Sequence, residues 1–311
     1  RIGPLAADAM RLSSIARRGT MNPAHQTATV ASGDVTLFYR RFGSPGRTPI
    51  VILHGANYYD SADWIDVASR LASDREIAAF DARGYGRSTW SPSKDYSINA
   101  NLADVLAVLD DLRWRSAIIM GASRGGAFGL AFAGQFPDRT AGYIAVDFVP
   151  DIAIRHPGSP IQLTQTINNK PRVHATVEDA LKATSRDKNA PLGSPARKRL
   201  EETLKQVEGG YVFGYRDPDF WNPIPITPGR WPTNLTFEID LWKELAKLKV
   251  PVLFIKAIES ASGHDPGALD RIRREFPQAH VTQVDGGHDV AAGQPDQLIE
   301  RVRNFLAATS L

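Results

Sequence analysis

Short apolar runs recur along this chain with long connections between them, and that recurrence restricts it to an alternating α/β architecture. TATVAS and VTLFYRRF come first, joined by Gly33-Asp34 as a hairpin turn. They are followed by IVILH at 50–54, EIAAF at 76–80, AIIM at 117–120, GYIAV at 142–146, PVLFI at 251–255 and HVTQV at 280–284. Runs that are apolar at nearly every position suit parallel strands covered on both faces. Between them, Ile98, Leu102, Val105, Leu109 and Leu112 fall at helical spacing over 97–112, and a closing helix is expected from about Asp296 to Ala307, after Pro295. The expected fold class is α/β, a mainly parallel doubly wound sheet.

One stretch breaks the alternation. From about Phe148 to Lys249 no comparable strand series occurs, and prolines stand at 157, 160, 171, 191, 195, 218, 223, 225, 228 and 232. This reads as a helical cap inserted over 149–248, with the core formed by 30–148 and 249–311 and an N-terminal extension over 1–29. The extension carries Arg11, Arg17 and Arg18 but no apolar block long enough for a secretory signal, and Met21 is a candidate start within it. Eight aromatics lie between Tyr211 and Trp242: Tyr211, Phe213, Tyr215, Phe220, Trp221, Trp231, Phe237 and Trp242. They either pack the cap onto the core or line an apolar pocket.

The chemistry-bearing segment follows the run AIIM directly. Gly121-Ala122-Ser123-Arg124-Gly125-Gly126 leads into an apolar helical pattern through Phe132, a G-x-S-x-G sequence in a strand–turn–helix setting. A nucleophile on a tight turn needs small neighbours on both sides, and the N-terminus of the helix that follows points donors at developing negative charge. His288, in Gly286-Gly287-His288-Asp289, lies between the last strand and the closing helix, on a loop overlooking the same sheet edge. It is the better base; His54, at the end of the third strand, reads as a brace for its loop.

Together with His54-Gly55, the turn Asp81-Ala82-Arg83-Gly84-Tyr85-Gly86-Arg87-Ser88, the Ser123 motif and Gly287-His288 with Pro295, the chain from about residue 30 onward resembles the α/β-hydrolase superfamily, in its serine-nucleophile branch with a cap. The resemblance implies a structural role for 81–88. It also implies an oxyanion hole formed by the backbone N–H groups of Ala56 and Arg124, with Asn57, Tyr58 and Trp221 as candidate substrate contacts. Serine at 123 separates the chain from haloalkane dehalogenases and capped epoxide hydrolases, which attack with a carboxylate. The family's usual triad acid follows the seventh strand, where this chain has Ala257-Ile258-Glu259-Ser260 with serine at the aligned position. Glu259 and Asp265 are nearby substitutes. Asp147, at the end of the sixth strand, occupies a second location that a minority of the superfamily uses, including fungal zearalenone lactonases and bacterial cofactor-free quinolone dioxygenases, to which the layout is similar.

The implied function is cleavage of a carboxylic ester or lactone of an apolar small molecule through a Ser123–His288–Asp147 triad. The alternatives are a cofactor-free dioxygenase on the same fold and a non-catalytic ligand-binding receptor. No cofactor is expected, and no metal, since H-E-x-x-H and Gly-rich phosphate fingerprints are absent. A formal charge of +3 without a basic tract argues against a nucleic-acid partner, and no apolar run approaches the ~20 residues that cross a bilayer. The absence of cysteine rules out disulfides and fits a reducing compartment, so a cytoplasmic protein is expected. Nothing in the sequence specifies an oligomeric state.

Overall fold

The computed structural model describes residues 25–55, 60–150, 173–183, 191–194, 197–198, 201, 203–213, 217, 239–260 and 267–311. Strands β1 (Gln26–Ser32) and β2 (Val35–Phe42) form the expected hairpin, with Gly33 at φ 57 in the first turn position, a conformation that suits glycine. Six further strands follow: β3 (Arg47–Leu53), β4 (Arg75–Phe80), β5 (Ala117–Ala122), β6 (Thr140–Val146), β7 (Val252–Ala257) and β8 (His280–Val284). They complete an eight-stranded sheet in the order β1-β2-β4-β3-β5-β6-β7-β8. β2 runs antiparallel to β1 and β4, and every other pairing is parallel. β1 begins inside the segment expected to be an N-terminal extension.

The helices are α1 (Ile65–Leu71), α2 (Ile98–Asp111), α3 (Arg124–Gln135), α4 (Val177–Ala183), α5 (Leu241–Lys247), α6 (Ala268–Glu275), α7 (Val290–Gly293) and α8 (Pro295–Thr309). Alternation along each strand sorts the core into two layers, because successive side chains point to opposite faces. Val51, Leu53, Ile119 and Phe254 pack with Leu102, Val105, Phe132 and Ile272 from α2, α3 and α6. Ile52, Met120, Ile144 and Ile255 pack on the other side with Val67 and Leu71 of α1 and Leu298, Val302 and Phe305 of α8. Burial on both faces explains why these strands read as continuous apolar runs.

The chain leaves β3 for β4 on one side and returns past it to β5 on the other, so β3 and β5 are neighbours whose onward connections diverge. Ligands of open α/β sheets bind in the crevice that such a reversal opens at the carboxyl ends of the strands. His54-Gly55 and Ser123 stand on its two sides.

Within the expected cap, the described parts include α4, a separate hairpin of Leu204–Val207 and Gly210–Phe213, and Asp217. Asp217 is fully buried: its N–H donates to the Gly84 carbonyl at 2.7 Å, and its carboxylate accepts from the Tyr96 hydroxyl and from Lys94 Nζ at 3.4 Å. It ties this segment to the 81–88 turn. Helix α5, at the end of the expected cap, belongs to the core layer of α3, with the Trp242 ring stacked on Phe276 at 6.1 Å and the Arg271 guanidinium 3.8 Å above it. Tyr215, Phe220, Trp221, Trp231 and Phe237 lie outside the described residues. Among the described residues no helix is long and apolar enough to cross a membrane.

The turn at 81–88 is anchored from below by a buried ion pair. Arg83 Nε and Nη2 each donate at 2.7 Å to the carboxylate of Asp104 on α2, and Nη1 donates to the Asp95 carbonyl at 2.8 Å. Burial pushes the Asp104 carboxyl up from its ordinary value, and the Arg83 contacts oppose that rise. Removing the cation alone strands a buried carboxylate, so Arg83→Met is expected to cost about 3–5 kcal/mol, read as a lower urea midpoint at unchanged slope.

Candidate active site

β5 ends at Ala122, α3 begins at Arg124, and Ser123 between them is held at φ 50, ψ −117. A non-glycine residue there carries about 1–3 kcal/mol of strain, retained only where the surroundings impose it. Here the imposition is steric. A Cβ on Gly121 would lie 2.2 Å from the Gly125 carbonyl oxygen, and one on Gly125 would lie 2.2 Å from that of Leu53. The G-x-S-x-G spacing is thus the spacing at which strand, turn and helix backbones touch. Ser123 is half-buried, and the Arg124 N–H at the first helical position has no acceptor within the helix.

Asp147 follows β6 as Ser123 follows β5. Ala122 and Val146 are register partners, so the two residues extend adjacent strands, which run about 4.8 Å apart. Asp147 also holds a positive φ, 45°, and is 1% exposed. Its Oδ2 accepts from His288 Nδ1 at 2.5 Å and from the Ser260 hydroxyl; its Oδ1 accepts from Lys256 Nζ at 2.6 Å and from the Ala257 N–H at 3.1 Å. Burial acts to raise this carboxyl, but the hydrogen bonds from His288, Lys256 and Ser260 together with the Lys256 charge outweigh it and hold the group well below the ordinary carboxylate range.

The structure therefore joins two of the expected residues, Asp147 and His288, and leaves the alternative acid apart from them. Glu259 is exposed; its backbone N–H donates to the Gly286 carbonyl at 3.0 Å, and its side chain has no hydrogen bond among the described residues. Ser260, at the aligned acid position, donates its hydroxyl to Asp147. Asp265, Ala56, Asn57, Tyr58 and Trp221 lie outside the described residues. A hydrogen bond between Ser123 Oγ and His288 is not formed among the described residues, and such catalytic bonds commonly close only when substrate binds. Lys256 was not anticipated from sequence. Its signal was a single cation at the end of an otherwise apolar strand.

His54 is fully buried and braces its loop: Nε2 accepts the Ala82 N–H at 3.0 Å and Nδ1 lies 2.9 Å from the Gly55 carbonyl. Burial, reinforced by the neighbouring Arg124 charge, brings its pKa down to about 4, so the ring is neutral and occupied at both nitrogens. The Arg124 side chain turns away from the elbow, its guanidinium 5.1 Å from the Tyr85 ring centroid and 4.9 Å from that of Phe128. The 81–88 turn has the structural part expected of it. Asp81 accepts the Ser61 and Arg87 N–H groups at 2.8 Å each, and the Ser88 hydroxyl donates to the Asp81 carbonyl at 2.5 Å.

Residues 48–292 match the family described as alpha/beta hydrolase fold, and the chain belongs to that family. Among its relatives, the esterase Rv0045c of Mycobacterium tuberculosis is 25% identical over 93% of this chain and 91% of its own length. The lipase LipV of the same organism is 30% identical over 88% of this chain and 98% of its own. The solved structure of E-2-(acetamidomethylene)succinate hydrolase superposes with a TM-score of 0.70 at 23% identity, covering 91% of this chain and all of that one.

The two carboxylates at issue are separable by experiment. Asp147→Asn is expected to keep the fold yet lower ester turnover by up to about 10⁴, since the amide favours the wrong imidazole tautomer. Glu259→Gln should cost tenfold or less, about one 1.4 kcal/mol interaction. Turnover of both variants, after circular dichroism shows them folded, makes the comparison; a crippled Glu259→Gln beside a near-normal Asp147→Asn would return the acid to the loop after β7.

Proposed function

We propose that this chain is a serine hydrolase of carboxylic esters or lactones, working through Ser123, His288 and Asp147. The observation that carries the reading is the Asp147–His288 pair at the end of the strand beside a serine held in a strained turn. Asp147 fixes the Nδ1–H tautomer of His288 and leaves Nε2 as the acceptor. The activities named for the curated relatives, an esterase and a lipase, support ester hydrolysis as the reaction.

In the acylation step Ser123 Oγ bonds to the substrate carbonyl carbon while its proton passes to His288 Nε2. The tetrahedral intermediate then expels the alcohol oxygen, which takes that proton from the imidazolium. Water attacks the acyl-enzyme by the same route, with its proton moving to His288 and on to Ser123 Oγ as the acid departs. The Arg124 N–H, with Ala56 as the second donor, binds the oxyanion, each donor contributing roughly a hundredfold to a thousandfold. Asn57, Tyr58 and Trp221 contact an apolar substrate. The side chains fit this reaction without a cofactor, and a sequence without cysteine suits a reducing compartment such as the cytoplasm.

A labelled fluorophosphonate applied to the intact protein should add its mass at Ser123. Ser123→Ala and His288→Ala should each abolish ester turnover, and the double variant should be scarcely worse, since triad members act as a unit whose loss costs on the order of 10⁶. Full turnover by Ser123→Ala, or oxygen uptake with an unlabelled Ser123, would replace hydrolysis with another chemistry. A second expectation concerns acid. Because Asp147 is held ionised well below the ordinary carboxylate range, kcat/KM should fall with a slope of one proton as His288 is protonated. A slope of two would show that Asp147 titrates with it.

A further inference from the structure

Strand β7 reads VLFIKA, and five of its six residues are buried apolar side chains. Lys256 is the exception. Its side chain is 15% exposed, and its ammonium donates to Asp147 Oδ1 at 2.6 Å and to the Ala257 carbonyl at 3.0 Å. A largely buried ammonium costs several kcal/mol unless it is well paired, and the carboxylate that pairs it here also holds His288. The position is set by the sheet: Val146 pairs with Ile255, so Asp147 and Lys256 are the next residues of adjacent strands.

An ionised carboxylate offers about four acceptor sites. Among the described residues four donors reach Asp147, with Lys256 and Ala257 on one oxygen and His288 and Ser260 on the other. We propose that Lys256 is a positioning residue of the active site, fixing the Asp147 carboxylate for His288 and offsetting part of its charge. This rests on the assignment of His288 as the base. When Ser123 gives up its proton, the imidazolium forms beside a carboxylate whose charge the ammonium already partly offsets. A nearby like charge disfavours the protonated ring.

Charged and polar groups reach the pair from several elements. From β6 there is Asp147, and from β7 Lys256. The loop after β7 brings Glu259, whose side chain is exposed, and Ser260, which is neutral. On the loop of His288 itself, Asp285 accepts from Gln297 Nε2 at 2.8 Å, and Asp289 is half-buried next to the ring in sequence. The elbow brings Ser123. Among the described residues, Lys256 is the cation in contact with the triad carboxylate on the side away from His288.

The test follows the His288 ring by proton NMR titration of the full chain, assigned through the resonance lost in His288→Gln, alongside the pH profile of kcat/KM for a p-nitrophenyl ester. Lys256→Met should move the His288 midpoint upward by about one pH unit and carry the acid limb of kcat/KM with it. It should lower kcat at mildly acidic pH with KM little changed. Lys256→Arg, which keeps the charge, should hold both within a few tenths of a unit of wild type. Should Lys256→Met fail to fold, Lys256→Gln, which keeps a donor and loses the charge, gives the same reading. An unmoved midpoint in a folded, uncharged variant overturns the proposal and leaves Lys256 as an ordinary structural ion pair. Absence of ester turnover in the wild type would instead count against the hydrolase reading, while the titration would still decide the part played by Lys256.

Discussion

The site depends on hydrogen bonds that continue the parallel ladder past the ends of its strands. The Ser123 N–H donates to the Val146 carbonyl at 3.0 Å, the Asp147 N–H to Ile255 at 2.7 Å, and the Ile258 N–H to Val284 at 3.0 Å. Each bond ties the first residue beyond one strand to the last residues of the next. Four strand ends are thereby locked in step, and the side chains they present arrive at one edge of the sheet without relying on long loops. Parallel pairing makes this possible, because every strand from β3 to β8 finishes on the same side.

That arrangement explains which parts of the site the sequence revealed. The elbow was legible because its requirements are local: small residues at 121 and 125, a strand before and a helix after. His288 was legible because its place between the last strand and the closing helix leaves it little choice of position. The carboxylate partner of His288 was ambiguous because Asp147 and Glu259 are both plausible strand-end carboxylates in one dimension. What distinguishes them is the pairing of β6 with β7 and the burial of one against the exposure of the other, which emerge only when the sheet assembles.

Lys256 was hidden for a related reason. A cation after PVLFI reads as the end of a strand, yet β7 continues through Ala257, since the carboxylate that makes burial tolerable comes from a residue 109 positions away. Trp242 shows the reverse error of scale. Grouped with the insertion by its aromatic neighbours, it lies on a seven-residue helix whose short apolar face, with Leu241 and Leu245, packs on α3. A helix so short has too few turns for periodicity to announce it.

Ser123 and Asp147 share one further property: each stands at a backbone conformation for which glycine is the natural occupant, at φ 50 and φ 45. A chain selected for folding alone would drift toward glycine at both places, relieving strain and freeing a buried carboxylate from its obligations. Retaining side chains there costs backbone strain at both positions of the proposed site, as it also does at Lys94, Arg113 and Ser310. Stabilising the scaffold by glycine at these two positions would therefore remove the very side chains on which the proposed chemistry rests.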